Sequence, residues 1–270
     1  MVTVPDSYDI RELMVAAAAR EIRDGEVVFV GMRLPMLAFF LARRTHAPGA
    51  VGIFENGVVR DGPAAAPVMT MSDTPNVAEA LWCGGMLEAM SLLQRGEVDV
   101  GFIGGAEVDR FGNVNSSYIG DPTHPAVKLP GSGGGADIAS LARRLLLIMP
   151  HERRRLSERV GFVTSPGNGE GTGWRRRVGL PGGGPSALIT SMAVFRFDPG
   201  NGEGVLESWH PGFSIQDVQR ETGWTLEVSS DARPTPPPTV EELAVIRELD
   251  PDGAWTRGRS PVAGSQAPRS

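Results

Sequence analysis

The first part of the chain alternates helix-type hydrophobic patterns with short apolar runs. Residues 9–23 carry apolar side chains at helical spacing and are followed by Gly25, so they predict an amphipathic helix. Residues 27–31 and 50–54 are wholly apolar, which is typical of strands buried on both faces, and a helix over 35–44 connects them. A strand, a helix and a second strand in this order form a β-α-β unit, so a parallel sheet is expected.

The same alternation of helix and strand patterns continues to residue 149. After residue 160 the hydrophobic pattern changes. Helices are predicted over 85–95 and 138–143, and strands over 98–103 and 145–149. Later apolar runs are short and separated by turn residues, which predicts antiparallel hairpins over 187–190, 192–197 and 204–207. The predicted fold is therefore α/β, an open and mostly parallel sheet flanked by helices, with appended antiparallel hairpins.

The C-terminal part is predicted to end in a helix and a tail. Ser214 is a plausible N-cap for a helix that ends near Glu221. Residues 234–238 form a stiff proline-rich spacer, and residues 240–249 predict a last amphipathic helix. Since the composition after Gly258 is that of a disordered segment, we expect one domain over residues 1–258 and a disordered tail over residues 259–270.

Composition narrows the class of protein. At 270 residues and 41% hydrophobic content, the chain can bury one sizeable core. Cys83 is the only cysteine, which leaves no disulfide framework and no cysteine spacing for zinc, and we expect it to be a small buried hydrophobe. A formal charge of -6 argues against a general nucleic-acid binder. The N-terminus lacks a signal-peptide pattern and no apolar run is long enough for a membrane helix, so we expect a cytoplasmic protein.

Three glycine-rich segments each follow a predicted strand, which places them at the carboxyl edge of the sheet, where open α/β folds hold ligands. The first, Glu55-Asn56-Gly57, could be only a turn, because Asn-Gly is a common turn dipeptide. In the second, Gly104 and Gly105 let the backbone approach a ligand closely. The third opens a helix and is either a flexible loop or a nest of amides facing an anion or a developing oxyanion; it comprises Gly131, Ser132, Gly133 and Gly134. Each signal is weak alone.

In combination and in order, these segments resemble the family I CoA-transferases, and within that family the B subunit of glutaconate CoA-transferase. The resemblance covers roughly residues 10–250 and includes further motifs at 119–125, 151–154 and 163–167. It implies that Glu55 attacks the thioester of an acyl-CoA and then carries a glutamyl-CoA thioester. It also implies oxyanion or acyl-CoA contacts from Gly104, Gly105 and the residues of the third segment.

The resemblance further implies the partners of the reaction. It predicts a separate A subunit in a hetero-oligomer, an acyl-CoA and a carboxylic acid as substrates, and no metal or organic cofactor. Because the same scaffold serves other reactions, the alternatives are a CoA-thioester hydrolase, a ring-opening hydrolase or a decarboxylase; retention of Glu55 favours the transferase. A non-catalytic effector-binding module is a third alternative, but no DNA-binding segment supports it. Phe54 and the segment after Gly57 depart from the family pattern, which leaves the acyl group open.

Two arginine runs and two histidines, some of them inside these motifs, are further candidates for function. The run from Arg153 to Arg155 predicts a solvated helix face. The run from Arg175 to Arg177 lies in a long loop and is the stronger candidate for contacts with CoA phosphates or with an acidic partner. His124 and His151 are interpreted as structural residues rather than general bases.

Overall fold

The computed structural model describes residues 7–64 and 66–257. Fifteen strands are present in this part of the chain. In chain order they are β1 (Val27–Val30), β2 (Val51–Phe54), β3 (Val58–Arg60), β4 (Trp82–Cys83), β5 (Val100–Ile103), β6 (Glu107–Asp109), β7 (Val114–Asn115), β8 (Tyr118–Gly120), β9 (Pro125–Lys128), β10 (Arg144–Met149), β11 (Leu156–Ser157), β12 (Pro185–Thr190), β13 (Ala193–Phe197), β14 (Gly204–Trp209) and β15 (Glu227–Pro234).

Eight helices are present in the described part of the chain, and some begin at capping residues that the sequence shows. They are α1 (Ile10–Ala19), α2 (Leu34–Arg44), α3 (Thr74–Val77), α4 (Met86–Gln94), α5 (Gly135–Leu141), α6 (Trp174–Arg177), α7 (Ile215–Arg220) and α8 (Val240–Leu249). Helix α1 starts with a capping box formed by Asp9 and Glu12, and α8 starts with one formed by Thr239 and Glu242. These reciprocal bonds satisfy amide groups that have no partner inside the helix.

Ten strands form one sheet in the order β15-β14-β13-β12-β10-β5-β1-β2-β3-β4. The central strands β12, β10, β5, β1 and β2 are parallel, while β3, β4 and β13 pair antiparallel with their neighbours. The predicted α/β fold with an open, mostly parallel sheet is confirmed. Small sheets formed by β11-β6-β7 and β8-β9 lie beside it.

The core lies on both faces of this sheet because successive strand residues point to opposite sides. Phe54 belongs to the core cluster that includes residues of α1, α2 and α8, whereas Ile53 belongs to the cluster on the other face, which includes residues of α4, α5 and α7. The apolar runs that the sequence shows in β1, β2, β5 and β10 are therefore buried from both sides.

Some expectations about local structure are wrong. The antiparallel hairpins predicted over residues 187–207 are present, because β13 pairs antiparallel with both β12 and β14. Strand β15 was not predicted; it pairs parallel with β14, and the predicted proline spacer begins within it at Pro234. Helix α5 begins at Gly135 rather than at Ile138. The run from Arg153 to Arg155 forms a turn, not a helix face; the amides of Arg155 and Leu156 donate to the Glu152 carbonyl and close it. The Arg153 side chain donates to the carbonyls of Arg220 and Thr222.

The prediction that Cys83 is buried is also wrong, because the residue is exposed. It lies on the short edge strand β4, whose two residues are both exposed. The predicted disordered tail falls outside the described residues, and the domain limits of 1–258 stay a prediction.

Two histidines are buried between the ends of β12 and β14. His151 is within hydrogen-bond distance of the hydroxyls of Thr190 (2.9 Å) and Thr222 (3.2 Å). His210 contacts the Thr235 hydroxyl at 2.9 Å and the Thr190 carbonyl at 2.8 Å. Burial lowers the pKa of each ring to about 4, and the nearby His210 further lowers the pKa of His151. Both rings are therefore neutral in the folded protein at physiological pH.

These histidines are expected to make the fold sensitive to acid. Between about pH 6.5 and about pH 4 the unfolded chain binds protons that the folded chain does not, so the free energy of unfolding falls as the pH falls. The expected loss is about 2 kcal/mol per histidine between about pH 7.5 and about pH 5, measured by urea unfolding. His151→Gln should remove about half of this dependence, and His124→Gln, at an exposed position, should retain it. Unfolding energies independent of pH over this range would contradict the prediction.

Candidate active site

Glu55 lies at the carboxyl edge of the sheet, in the tight turn between β2 and β3. The Gly57 amide donates to the Phe54 carbonyl at 2.9 Å and closes the turn. Gly57 has a φ of 97°, and a Cβ at this position would lie 2.5 Å from the Gly84 carbonyl oxygen. Glycine is therefore required here, both for the backbone conformation and for the close approach of the segment after β4.

The turn is tied to the segment that connects β3 with β4. The Asn56 side chain donates to the Met71 carbonyl at 2.9 Å and to the Ser72 hydroxyl at 3.2 Å, and it accepts from the Val58 amide at 3.3 Å. Arg60 is 1% exposed, and burial lowers the pKa of its guanidinium. Its side chain donates to main-chain carbonyls of the same segment, at Gly62, Pro63, Pro75, Asn76 and Ala78. The sequence pattern did not single out Arg60, because its acceptors are main-chain carbonyls spread over the segment between β3 and β4, including two in α3, and no local motif marks them.

The third glycine-rich segment meets Glu55. The Gly134 amide donates to Glu55 Oε1 at 3.0 Å. A Cβ at Gly134 would lie 3.1 Å from Oε1 and 2.5 Å from the Met90 Cε atom, and a Cβ at Gly133 would lie 3.7 Å from Oε1. Glycine at position 134 thus allows the loop to approach the carboxylate closely, whereas Gly133 is favoured by its φ of 47° rather than by lack of space. Met90, which the motifs did not indicate, forms the neighbouring wall.

The other predicted site residues make no hydrogen bond with the Glu55 side chain within the described part of the chain. Gly131 is held by Ser116, through its amide to the Ser116 carbonyl and through its carbonyl to the Ser116 hydroxyl, both at 2.8 Å. The Ser132 carbonyl accepts the Gly135 amide at 2.8 Å. Gly104 and Gly105 follow β5, two strands from β2; a Cβ at Gly105 would lie 2.2 Å from Val114 Cγ1, so packing alone requires that glycine.

The two carboxylate oxygens of Glu55 have different hydrogen-bonding environments. Oε1 is held by the Gly134 amide, whereas Oε2 has no hydrogen-bond partner among the described residues. The side chain is half-buried, so it is only partly stripped of water. A carboxylate fixed through one oxygen at an open, glycine-lined edge can act as a nucleophile toward an electrophilic carbonyl.

Metal clusters and membrane helices are absent from residues 7–64 and 66–257. No group of three or more histidine, cysteine, aspartate or glutamate side chains there could hold a metal ion. No helix there has the length and apolar content needed to cross a membrane. The ring nitrogens of His151 are occupied by threonine hydroxyls, and His124 lies in an exposed turn.

Comparison with known proteins identifies the family. A sequence model described as "Coenzyme A transferase" matches residues 11–221. The chain belongs to this family. It is 38% identical to the B subunit of 3-oxoadipate CoA-transferase from Pseudomonas knackmussii, covering 94% of this chain and 97% of the relative. It is 34% identical to the B subunit of glutaconate CoA-transferase from Acidaminococcus fermentans, covering 92% and 95%. These relatives place the chain among the B subunits of family I CoA-transferases.

The fold agrees with this assignment. The crystal structure of glutaconate CoA-transferase from Acidaminococcus fermentans superposes with a TM-score of 0.86 at 32% identity, covering 93% of this chain and 98% of that one. The decarboxylase AibA/AibB superposes with a TM-score of 0.78 at 28% identity, covering 92% and 97%. The scaffold therefore occurs both in a CoA-transferase and in a decarboxylase, and the reaction has to be argued from the site.

Proposed function

We propose that the chain is the B subunit of a heteromeric acyl-CoA:carboxylate CoA-transferase that carries CoA as a thioester on Glu55. The observation that supports this most directly is the carboxylate fixed by the Gly134 amide at 3.0 Å, with its second oxygen open. A decarboxylase or a hydrolase would not need a protein carboxylate as the acceptor of CoA. Retention of Glu55 at the turn therefore favours transfer.

The proposed reaction begins with attack of a Glu55 oxygen on the carbonyl carbon of the acyl-CoA. The tetrahedral oxyanion collapses with cleavage of the C–S bond, which gives a mixed anhydride and CoA thiolate. The thiolate then attacks the glutamyl carbonyl and releases the first carboxylate, leaving glutamyl-CoA. A second carboxylate reverses these steps and leaves as its acyl-CoA, so the kinetics are ping-pong. The Gly134 amide, which donates to Glu55 Oε1, would stabilise negative charge beside the carboxylate.

The anhydride must be protected from water, which would hydrolyse it. Glu55 is only half-buried in this chain, so a second surface is needed to close the site. The relatives that match along most of the chain are named as B subunits. We therefore propose that a separate A subunit covers Glu55 and completes the site.

An exposed apolar surface beside Glu55 supports this arrangement. We define this edge surface by its exposed large side chains, which are Val77, Leu81, Trp82, Met86 and Leu87. Leu81 is 61% exposed and Leu87 79% exposed, and exposed apolar side chains grouped in one segment mark interaction surfaces. The surface adjoins the Glu55 turn, because the Gly84 amide donates to the Gly57 carbonyl at 2.9 Å.

Changing Leu87 to aspartate is expected to weaken association with the A subunit at least about tenfold, because a charge would be buried in the interface. The dissociation constant can be measured by isothermal titration calorimetry with the purified A subunit. Val240→Asp changes an exposed apolar residue of α8, outside the edge surface, and should bind normally. Normal binding of the A subunit by Leu87→Asp would show that the edge surface is not part of the interface.

The two relatives at 38% and 34% identity are named for 3-oxoadipate and glutaconate. Both acids are dicarboxylic, and we propose a dicarboxylic acyl group for this enzyme.

The function is tested by co-expressing the chain with its A subunit and measuring exchange of CoA between an acyl-CoA and a free dicarboxylate. Borohydride reduction after exposure to acyl-CoA, followed by peptide mass spectrometry, should place the modification on Glu55. Turnover to free CoA and acid without this modification would indicate a hydrolase instead.

A further inference from the structure

An arginine in a strained backbone conformation follows β1. Arg33 has a φ of 68° and a ψ of -121°, the conformation of the first central residue of a type II′ turn. Glycine dominates at that position, because a side chain is crowded there. Among the described non-glycine residues only Arg33 and Glu79 have a positive φ. Backbone strain of this kind is concentrated at functional sites, where a particular side chain is needed.

The connectivity places Arg33 at the same edge of the sheet as Glu55. Strands β1 and β2 are parallel neighbours, and Val30 at the end of β1 is the partner of Phe54 at the end of β2. Neighbouring strands lie about 5 Å apart, and Arg33 follows Val30 by three residues, a path of at most about 11 Å. Glu55 is the residue after Phe54. A ligand that is bound at Glu55 and extends along this edge by one strand therefore reaches Arg33, whose side chain is exposed.

The guanidinium of Arg33 is held in place by Trp255. Its Cζ atom lies 5.4 Å from the centre of the Trp255 ring, close enough for a cation–π interaction. The Trp255 amide donates to Asp250 Oδ2 at 3.1 Å, and the Trp255 carbonyl accepts from Arg11 Nη1 at 3.2 Å. Asp250 is buried at the end of α8. The aromatic ring that supports Arg33 is therefore anchored to the body of the fold.

No carboxylate neutralises Arg33 within the described ranges 7–64 and 66–257. Its guanidinium makes no ion pair and no hydrogen bond there, whereas Arg44, at the other end of α2, lies 2.6 Å from Glu248. The ring of Trp255 attracts a cation through its face but accepts none of the in-plane N–H groups. The donors of Arg33 are thus available to a ligand, and their planar fork matches a carboxylate.

We propose that Arg33 binds the distal carboxylate of a dicarboxylic acyl group whose other carboxyl carbon forms the thioester at Glu55. This inference rests on the proposed function, because it assigns the specificity of the same site. A monocarboxylic acyl group would leave the guanidinium without its partner, so the site would prefer dicarboxylic substrates. Glycine at position 33 would relieve the backbone strain but would remove the cation, which explains why an arginine is kept there.

The test compares glutaryl-CoA with pentanoyl-CoA, which have acyl chains of the same length and differ in the distal carboxylate. Binding is measured by isothermal titration calorimetry on the complex with the A subunit, in the Glu55→Gln background so that the proposed transfer does not consume the ligand. Glutaryl-CoA should bind about tenfold more tightly than pentanoyl-CoA, and Arg33→Gly should remove this preference. Arg154→Ala changes an exposed arginine of another segment and should retain it.

Two longer side chains separate the charge of Arg33 from its strain. Arg33→Lys keeps a cation and should retain part of the preference, whereas Arg33→Met keeps a long side chain without a charge and should lose it. Because Arg33→Gly relieves the backbone, its midpoint of urea unfolding should be no lower than that of the unchanged chain. A lower midpoint would show that Arg33 serves the stability of the fold, and would overturn the proposal.

The titrations also distinguish this inference from the proposed transfer reaction, because they measure binding alone. A preference for glutaryl-CoA that depends on Arg33 would support the inference even if the unchanged complex did not exchange CoA. Exchange by the unchanged complex, with the preference retained in Arg33→Gly, would support the transferase and refute the role of Arg33. The role would also be refuted if neither ligand were preferred, or if Arg33→Gly weakened both equally, which would place Arg33 against the CoA part.

Discussion

Replacing Glu55 with glutamine is expected to abolish CoA transfer while leaving the fold intact. The amide retains an oxygen that can accept from the Gly134 amide, as Oε1 does at 3.0 Å, but it cannot attack a thioester. Loss of the nucleophile should lower kcat by at least about 10³-fold. The measurement is CoA exchange by the complex with the A subunit, together with the midpoint of urea unfolding, which should not move.

Two further variants sharpen this test. Glu97→Gln, at an exposed glutamate paired with Arg95, should retain full activity. Glu55→Asp retains a carboxylate but withdraws it by one methylene from Gly134, and its activity should fall between those of the other two, about 10²-fold below the unchanged enzyme. If Glu55→Gln retained a tenth of the activity, Glu55 could not be the residue that carries CoA.

The central strands were predictable because their sequences are apolar on both faces. The predicted runs over 27–31 and 50–54 correspond to β1 and β2, and the observed ends differ by no more than one residue. Among the peripheral strands, β13 and β14 were also predicted, whereas β3, β4 and β15 were not. Strand β15 carries mostly exposed side chains, and β3 and β4 contain only three and two residues, so their pairing depends on tertiary contacts and not on a local pattern.

The exposure of Cys83 also could not be predicted from local sequence. Free cysteines are usually buried, and its neighbour Trp82 is a large apolar residue, so the local sequence favoured burial. The structure places both on the outermost strand of the sheet, where Trp82 is 43% exposed. An apolar segment at a sheet edge is the feature expected of a protein that binds another subunit.

The candidate site was predicted in part. The Glu55 turn and the loop containing Gly134 are visible as glycine-rich segments after or between elements, and their order indicated the family. Their contact joins residues 79 positions apart and depends on where α5 packs against β5, which local sequence does not determine. Gly104 and Gly105 carry a similar sequence signal, yet Gly105 is explained by packing against Val114.

The importance of the Gly134 contact can be tested by adding one methyl group. Gly134 has a φ of -77°, so alanine fits the backbone without strain, but its Cβ would lie 3.1 Å from Glu55 Oε1 and 2.5 Å from Met90 Cε. Gly134→Ala should therefore displace the carboxylate and lower kcat about 10²-fold. The free energy of unfolding should change by no more than about 2 kcal/mol, because the flexible Met90 side chain can move.

The double variant Gly134→Ala with Met90→Ala separates the two contacts. It removes the clash with Met90 and leaves the one with Glu55, so kcat should stay low if displacement of the carboxylate causes the loss. Gly161→Ala is the matched control, since a Cβ there meets no atom within 4 Å and activity should be unchanged. Full activity of Gly134→Ala would show that the reaction does not depend on a carboxylate held by this amide. Urea unfolding of each variant completes the test, because a loss of kcat in a variant that remains folded is assigned to the position of Glu55 and not to unfolding.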